Sequence, residues 1–177
     1  NYNLKALRDQ IAFVLQKNPL FSGTIRENMQ WGKADATDEE IITALKQAQA
    51  WEFVSKYDDS LDHRVEQGGS NFSGGQKQRL TIARALIKKP KIIILDDSTS
   101  AVDMTTDAKI QQTFKEELQG VTTIIIGQRI SSIQHADRII VLHEGQIESV
   151  ADHETLLKTS PIYREIYESQ QKGVVGQ

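Results

Sequence analysis

Two short motifs carry the residue types that could act on phosphates. The first, Asn71-Phe-Ser-Gly-Gly-Gln76, runs directly into a basic stretch, Lys77-Gln-Arg79. Two glycines allow a phosphate to approach the backbone closely, and a helix start offers free N–H groups and the positive end of the helix dipole. Ser73 and Gln76 would add hydrogen bonds from their side chains. The motif taken alone is equally typical of a serine-capped helix after a glycine turn.

The second motif lies about 20 residues further on and ends in two carboxylates. It reads Ile92-Ile-Ile-Leu-Asp-Asp97, an apolar strand that delivers Asp96 and Asp97 at its carboxyl end. Such an arrangement suits one aspartate that holds Mg²⁺ and a second that orients an attacking water. A strand that simply ends in a turn is the alternative interpretation. The nearby glycine motif favours phosphate chemistry.

The elements that position these motifs alternate between strands and helices. Thr24 and Thr37 are predicted helix caps, and the latter has Glu40 at the capping-box spacing. Residues 58–72 are predicted to form a loop, and a hairpin is predicted around residues 143–145. The predicted strands are 11–15, 91–95 and 121–126, with 138–142 and 146–150 in the hairpin. The predicted helices are 24–30, 37–48, 51–56, 73–89, 104–118, 130–135, 152–158 and 162–170. This alternation predicts an α/β fold with a parallel sheet and a helical insertion.

Composition excludes several other classes of protein. The 177 residues suffice for about one domain, and 21 Lys and Arg against 24 Asp and Glu give a net charge of −3. A near-neutral chain argues against a dedicated nucleic-acid-binding protein. There is no cysteine, which excludes disulfides, cysteine-bound zinc and iron–sulfur clusters, and the four histidines lack metal-ligand spacing. No signal peptide opens the chain, and because it begins with Asn1 we expect a piece of a longer protein.

Several further motifs, in a consistent order, resemble the nucleotide-binding domain of an ABC transporter. Residues 71–76 are similar to the family signature LSGGQ, with Phe72 in place of leucine, and residues 92–97 are similar to Walker B. The remaining similarities are Val14-Leu-Gln16 to the Q-loop, residues 20–28 to the exporter-type segment after it, Ser100-Ala-Val-Asp103 to the D-loop, and residues 136–142 and 152–157 to the C-terminal part. The resemblance covers residues 2–170.

The resemblance implies a P-loop NTPase (RecA-like) core with a helical subdomain, and ATP and Mg²⁺ as cofactors. The implied segments are 1–23 for the Q-loop strand and Q-loop, 24–72 for the helical subdomain, 73–89 for the signature helix, 90–171 for the C-terminal part of the core and 172–177 for a disordered tail. The implied catalytic residues are Asp97 and Gln128, the nucleotide-binding residues are Ser73, Gly74, Gly75, Gln76, Gln16 and Asp103, and the metal-binding residues are Asp96 and Gln16. The implied partners are a second nucleotide-binding domain and the coupling helices of a transmembrane domain, with no nucleic acid, at the cytoplasmic face of the cell membrane.

The chain departs from the family pattern at four places. The Walker A motif is absent, and the only Gly-Lys pair, Gly32-Lys33, is followed by alanine. Asp97 replaces the family's catalytic glutamate. Its side chain is one methylene shorter, so its carboxylate would lie about 1.5 Å short of the position that a glutamate carboxylate reaches. Gln128 replaces the switch histidine and cannot take up a proton near neutral pH. Gln67 stands where the family usually has glutamate. Without the Walker A part we also expect strands 92–95 and 121–126 to be incompletely covered.

The changes at Asp97 and Gln128 together resemble the degenerate half of a heterodimeric bacterial multidrug ABC exporter. In such pairs, each ATP lies between Walker A and B of one subunit and the signature of the other. This chain's own site would then hydrolyse poorly, its signature would complete the partner's site, and the isolated chain would be inactive. Two alternatives stay open: a homodimeric exporter ATPase with tolerated substitutions, and a soluble ABC-type ATPase that acts on chromosomes or ribosomes.

Overall fold

A computed structural model describes residues 3–17, 19–97 and 101–175. Ser100, the first residue of the predicted D-loop motif, therefore lies outside the described residues, as do both chain ends. The chain divides into two compact units, Asn1–Ile126 and Gly127–Gln177. The division falls inside the predicted segment 90–171.

The first unit contains a three-stranded parallel sheet and most of the helices. Its strands are β1 (Ile11–Val14), β2 (Gly23–Thr24), β3 (Arg64–Val65), β4 (Ile92–Asp96) and β5 (Thr122–Ile126). Its helices are α1 (Leu4–Asp9), α2 (Ile25–Gln30), α3 (Asp38–Gln47), α4 (Trp51–Val54), α5 (Gly74–Leu86) and α6 (Met104–Glu117), with short 3₁₀ turns at Ser60–Asp62 and Gln67–Gly69. The α/β prediction is confirmed. Helix α1 and the antiparallel β2–β3 pair, which crosses the predicted loop 58–72, were not predicted.

The parallel sheet has the order β1-β4-β5, and only one of its faces is buried. The buried face includes Val14, Ile93 and Leu95, each no more than 1% exposed. Phe13 pairs with Ile94 and Ile94 with Ile124, so these side chains form one row on the other face, where Phe13 is 50% exposed, Ile124 is 45% exposed and Ile94 is half-buried. The expected incomplete cover of β4 and β5 is therefore confirmed.

The helical insertion supplies its own part of the core through capped helices. Thr24 and Thr37 each accept a hydrogen bond from the third residue of the following helix, and a glutamate at that position bonds back, which completes two capping boxes. Each cap satisfies backbone donors that the helix itself leaves free. The apolar faces of α2 and α3 include Ile25, Met29 and Ile41, all fully buried. The helix starts at Thr24 and Thr37 are confirmed.

The second unit is a β-hairpin with three helices. It contains α7 (Ile130–Ile133), β6 (Ile139–His143), β7 (Gln146–Ala151), α8 (His153–Thr159) and α9 (Pro161–Val175). Glu144 and Gly145 form the tight hairpin turn, both with positive φ, a conformation that glycine adopts without strain. The predicted hairpin and both C-terminal helices are confirmed.

Helix α9 continues to Val175, beyond the predicted start of the disordered tail. Glu, Gln and Lys, which dominate residues 168–172, are good helix formers and extend the helix. The prediction of disorder is thus wrong for residues 172–175, and residues 176–177 lie outside the described part. Within the ranges that the structure describes, no helix has the length and apolar character needed to span a bilayer.

Candidate nucleotide site

The Q-loop glutamine and the second aspartate of the Asp-Asp pair meet at the carboxyl edge of the sheet. Strands β1 and β4 are parallel neighbours, with Val14 opposite Leu95, so the residues that follow them emerge side by side. Gln16 Nε2 donates a hydrogen bond of 2.9 Å to Asp97 Oδ2. The contact joins residues 81 positions apart. It brings a predicted metal-binding residue directly against a predicted catalytic one.

The backbone at Asp97 holds its carboxylate at this edge. Asp97 has a φ of +44°, in the left-handed region that aspartate tolerates better than most residues. Its N–H donates to the carbonyl of Ile126, at 2.7 Å, and so ties the turn after β4 to the end of β5. Asp96, the last residue of β4, is half-buried and opposite Ile126 in the register.

The residues at this edge fit an Mg²⁺ ion that is shared with phosphate. Mg²⁺ prefers oxygen ligands and is usually held by one or two carboxylates together with phosphate oxygens and waters. Asp96 would supply a carboxylate, and Gln16, whose amide nitrogen donates to Asp97, would supply its amide oxygen. Among the described residues there is no group of three or more His, Asp or Glu side chains able to cage a metal.

The signature motif forms a capped helix start. Ser73 Oγ accepts from the N–H of Gln76 at 3.2 Å, and Gln76 Oε1 accepts from the N–H of Ser73 at 2.9 Å. The cap leaves the N–H groups of Gly74 and Gly75, the first two of α5, without an intrahelical acceptor. These amides and the helix dipole suit a phosphate. The side-chain oxygen of Gln76 therefore has a structural role in the cap, whereas the sequence predicts only phosphate binding for Gln76.

The two signature glycines also pack against the segment that follows β4. A Cβ atom added at Gly75 would lie 3.0 Å from the carbonyl oxygen of Ala101, and one at Gly74 would lie 3.3 Å from Ala101 Cβ. Both approaches are tighter than ordinary carbon contacts. The absence of side chains at these positions therefore serves an internal contact, and phosphate access there stays a prediction.

Asp103 caps helix α6. Its Oδ1 accepts from the N–H of Thr106 at 2.9 Å, and this backbone hydrogen bond is the main reason why the pKa of Asp103 lies below its usual value. The structure thus gives Asp103 a local structural role, and its predicted contact with nucleotide stays a prediction.

Gln128 lies in the second unit, after the end of β5. Its side chain is exposed, and its backbone oxygen accepts from Gln170 Nε2 at 2.7 Å. Gln170 Oε1 in turn accepts from the N–H of Ile130 at 2.9 Å. The Gln170 side chain of helix α9 therefore binds the backbone on both sides of Arg129. The exposed Gln128 side chain is free to serve the role that was predicted for it, which stays a prediction.

Sequence reasoning missed Gln78 and Arg79 as residues of this region. Gln78 Oε1 accepts from the N–H of Ala101 at 2.9 Å, and Arg79 Nη1 donates to the carbonyl of Gln49 at 2.8 Å. The Arg79 guanidinium also lies over the ring of Phe53, 4.9 Å from its centroid. Helical spacing offered one signal, because Gln78 is four residues after Gly74 and so on the same face of α5.

Comparison with known proteins decides the family. The family model described as "ABC transporter" matches residues 1–100, more than half of the chain. The chain belongs to the ABC transporter family. The fold agrees: a bacterial Atm1-family ABC exporter solved with ATP bound superimposes with a TM-score of 0.91 at 34% identity, over 95% of this chain and 30% of that one.

Curated ABC relatives are similar over almost the whole chain. YknU of Bacillus subtilis, an uncharacterized ABC transporter ATP-binding protein, is 46% identical over 98% of this chain and 30% of its own length. An ATP-dependent lipid A-core flippase of Alcanivorax borkumensis is 42% identical over 94% of this chain and 29% of its own. The chain thus spans about 30% of the length of the curated relatives that it matches.

Proposed function

We propose that this chain is the ATP-binding domain of an ABC exporter and couples ATP binding and hydrolysis to export of drug- or lipid-like compounds. The contact between Gln16 and Asp97 carries the proposal, since it joins the Q-loop to the Asp-Asp pair where a metal and a phosphate would lie. The capped start of α5 supplies a second phosphate-binding element. The similarity to a lipid A-core flippase supports a lipid-like substrate class.

Residues of this chain would divide between two nucleotides in a dimer. Bound Mg²⁺ would neutralise phosphate charge at the Asp96 edge. Asp97 would orient water there, and Gln16 would hold Asp97 in position. The amides of Gly74 and Gly75 would donate to the terminal phosphate of the nucleotide held by the partner domain.

The site that contains Asp97 would hydrolyse ATP slowly. The aspartate side chain is one methylene shorter than glutamate, and the contact with Gln16 occupies one of its carboxylate oxygens. Gln128 can donate a hydrogen bond but cannot become cationic beside developing negative charge. The partner domain would therefore be a non-identical chain that carries the faster site.

The proposal places the domain at the cytoplasmic face of the membrane, against the coupling helices of a transmembrane domain. It also implies that the 177-residue chain alone is inactive, because the phosphate cradle and lysine of Walker A are not among its residues.

The test is to restore the two missing groups in the full-length transporter. Asp97→Glu together with Gln128→His should raise single-turnover hydrolysis at this site by about tenfold or more. Gln112→Glu, on an exposed face of α6, serves as a matched control. Unchanged hydrolysis in the double variant would contradict the proposed cause of slow turnover. Two equally fast sites in the unaltered protein would instead favour a homodimeric ATPase.

A further inference from the structure

The start of α5 is docked on the segment that follows β4 through one face of the helix. Gly74 and Gly75 lie on the same face of α5 as Gln78, because Gln78 follows them by four and three residues. The glycines bring the helix backbone against Ala101, and Gln78 Oε1 accepts from the N–H of Ala101 at 2.9 Å. Val102, next along the chain, is 4% exposed.

The next side chain along α5, Arg79, is attracted to Asp103 by its opposite charge. Arg79 is partly buried, and desolvation lowers the pKa of its guanidinium below the usual value. The negative charge of Asp103 opposes that shift, and Arg79 in turn helps to lower the pKa of Asp103. Residues 101–103 are thus held on α5 by the close approach of the glycine backbone to Ala101 and by the hydrogen bond from the Ala101 N–H to Gln78. The attraction between Arg79 and Asp103 adds to these two contacts.

We propose that Gln78 is a positioning residue that locks the signature end of α5 to residues 101–103, so that the two move together when nucleotide engages. Ala101 follows Asp97 by only four residues. The lock therefore links the phosphate-binding helix start to the carboxylates of this chain, which under the proposed function serve two different nucleotides. Gln78 itself need not contact nucleotide.

This inference rests on the proposed function for its effect on hydrolysis, but the hydrogen bond can be tested independently. Gln78→Met keeps the side-chain length and removes the oxygen acceptor, whereas Gln78→Glu keeps an oxygen that can accept from Ala101. Gln112→Met makes the same chemical change on the exposed face of α6, where Gln112 bonds to Glu116 at the surface.

The experiment compares the three variants in the full-length transporter by amide hydrogen exchange and steady-state ATP hydrolysis. Gln78→Met should speed exchange of the Ala101 amide about fivefold or more, since an amide without its acceptor is less protected. It should lower kcat about tenfold and leave KM for ATP within about twofold of the wild-type value, because the lock helps to form the transition state and does not contribute to ATP binding. Gln78→Glu should recover at least half of the lost kcat, and Gln112→Met should match wild type.

The possible results separate this inference from the proposed function. If Gln78→Met and Gln112→Met show the same Ala101 amide exchange and the same rate of ATP hydrolysis in an active transporter, Gln78 does not lock α5 to residues 101–103. The proposed function would stand in that case. If Gln78→Met loses activity only in parallel with its melting temperature and Gln78→Glu does not rescue it, Gln78 is merely structural and the inference is wrong. If the unaltered transporter does not hydrolyse ATP, the proposed function fails. The rate of hydrogen exchange at the Ala101 amide still shows whether its hydrogen bond to Gln78 exists.

Discussion

Replacing Ser73 by alanine separates helix capping from action on phosphate. The change removes the oxygen that accepts from the N–H of Gln76 at 3.2 Å. Loss of such a cap costs about 1 kcal/mol of stability. For a chain of this size, that loss lowers the melting temperature by roughly 2–4 °C. If the Ser73 hydroxyl also donates to a phosphate across the dimer, hydrolysis at the partner's site should fall on the order of 10²-fold.

Thr37→Ala is the matched control for this change. Thr37 forms the same kind of capping box at α3, where its Oγ1 accepts from the N–H of Glu40 at 3.3 Å. It lies in the helical insertion, outside the proposed phosphate-binding residues. We therefore expect a similar loss of stability and unchanged hydrolysis. Ser73→Thr, which retains a capping hydroxyl, should restore most of the stability.

The assay is thermal unfolding of the 177-residue chain, combined with single-turnover ATP hydrolysis by the full-length transporter. The reasoning predicts that the two alanine variants melt alike and hydrolyse differently. Equal hydrolysis in Ser73→Ala and Thr37→Ala would show that Ser73 acts only as a cap, and the assignment of its hydroxyl to phosphate would be wrong.

Three further predictions concern the chain itself. Hydrogen bonds from Lys33 and Lys89 lower the pKa of Glu40 from 4.5 to about 2, so this carboxylate stabilises the fold above pH 4.5 and loses its effect as the pH falls towards 2. Acid unfolding of Glu40→Gln should therefore be less steep in that window, and an unchanged profile would contradict the role of the two lysines. Isothermal titration of Mg-ATP into the 177-residue chain should show no micromolar binding, because the chain carries no Walker A residues. The half-exposed Phe13 lies in an open apolar row of the sheet, so the chain should self-associate in light scattering and Phe13→Ser should reduce this; a monomer at high concentration would argue against it.

Helix starts were predictable because capping is a local interaction. Thr24, Thr37 and Ser73 each bond to a residue three positions along the chain, so the sequence contains both partners side by side. The strand identities were predictable for a similar reason, since runs such as residues 92–95 leave few alternatives to a buried strand.

Contacts that depend on tertiary packing were less accessible from sequence. The nearness of Gln16 and Asp97 follows once β1 and β4 are known to be parallel neighbours, but their hydrogen bond does not. The contact of Gln78 with Ala101 spans 23 residues and depends on how α5 lies on the segment after β4. The β2–β3 pair has only two residues in each strand, too few to produce an alternating pattern.

The central claim is that the signature of this chain completes a hydrolysing site on a partner domain. Gly74→Asp tests it most directly, because it places bulk and negative charge at an amide proposed to face a triphosphate. The measurement is single-turnover hydrolysis by the full-length transporter with the partner's catalytic glutamate intact, and Gly74→Ala controls for the added Cβ, which would lie 3.3 Å from Ala101 Cβ. The account predicts that Gly74→Asp lowers turnover on the order of 10²-fold, well beyond the effect of Gly74→Ala. Turnover at the wild-type level in Gly74→Asp would show that this signature serves no hydrolysing site.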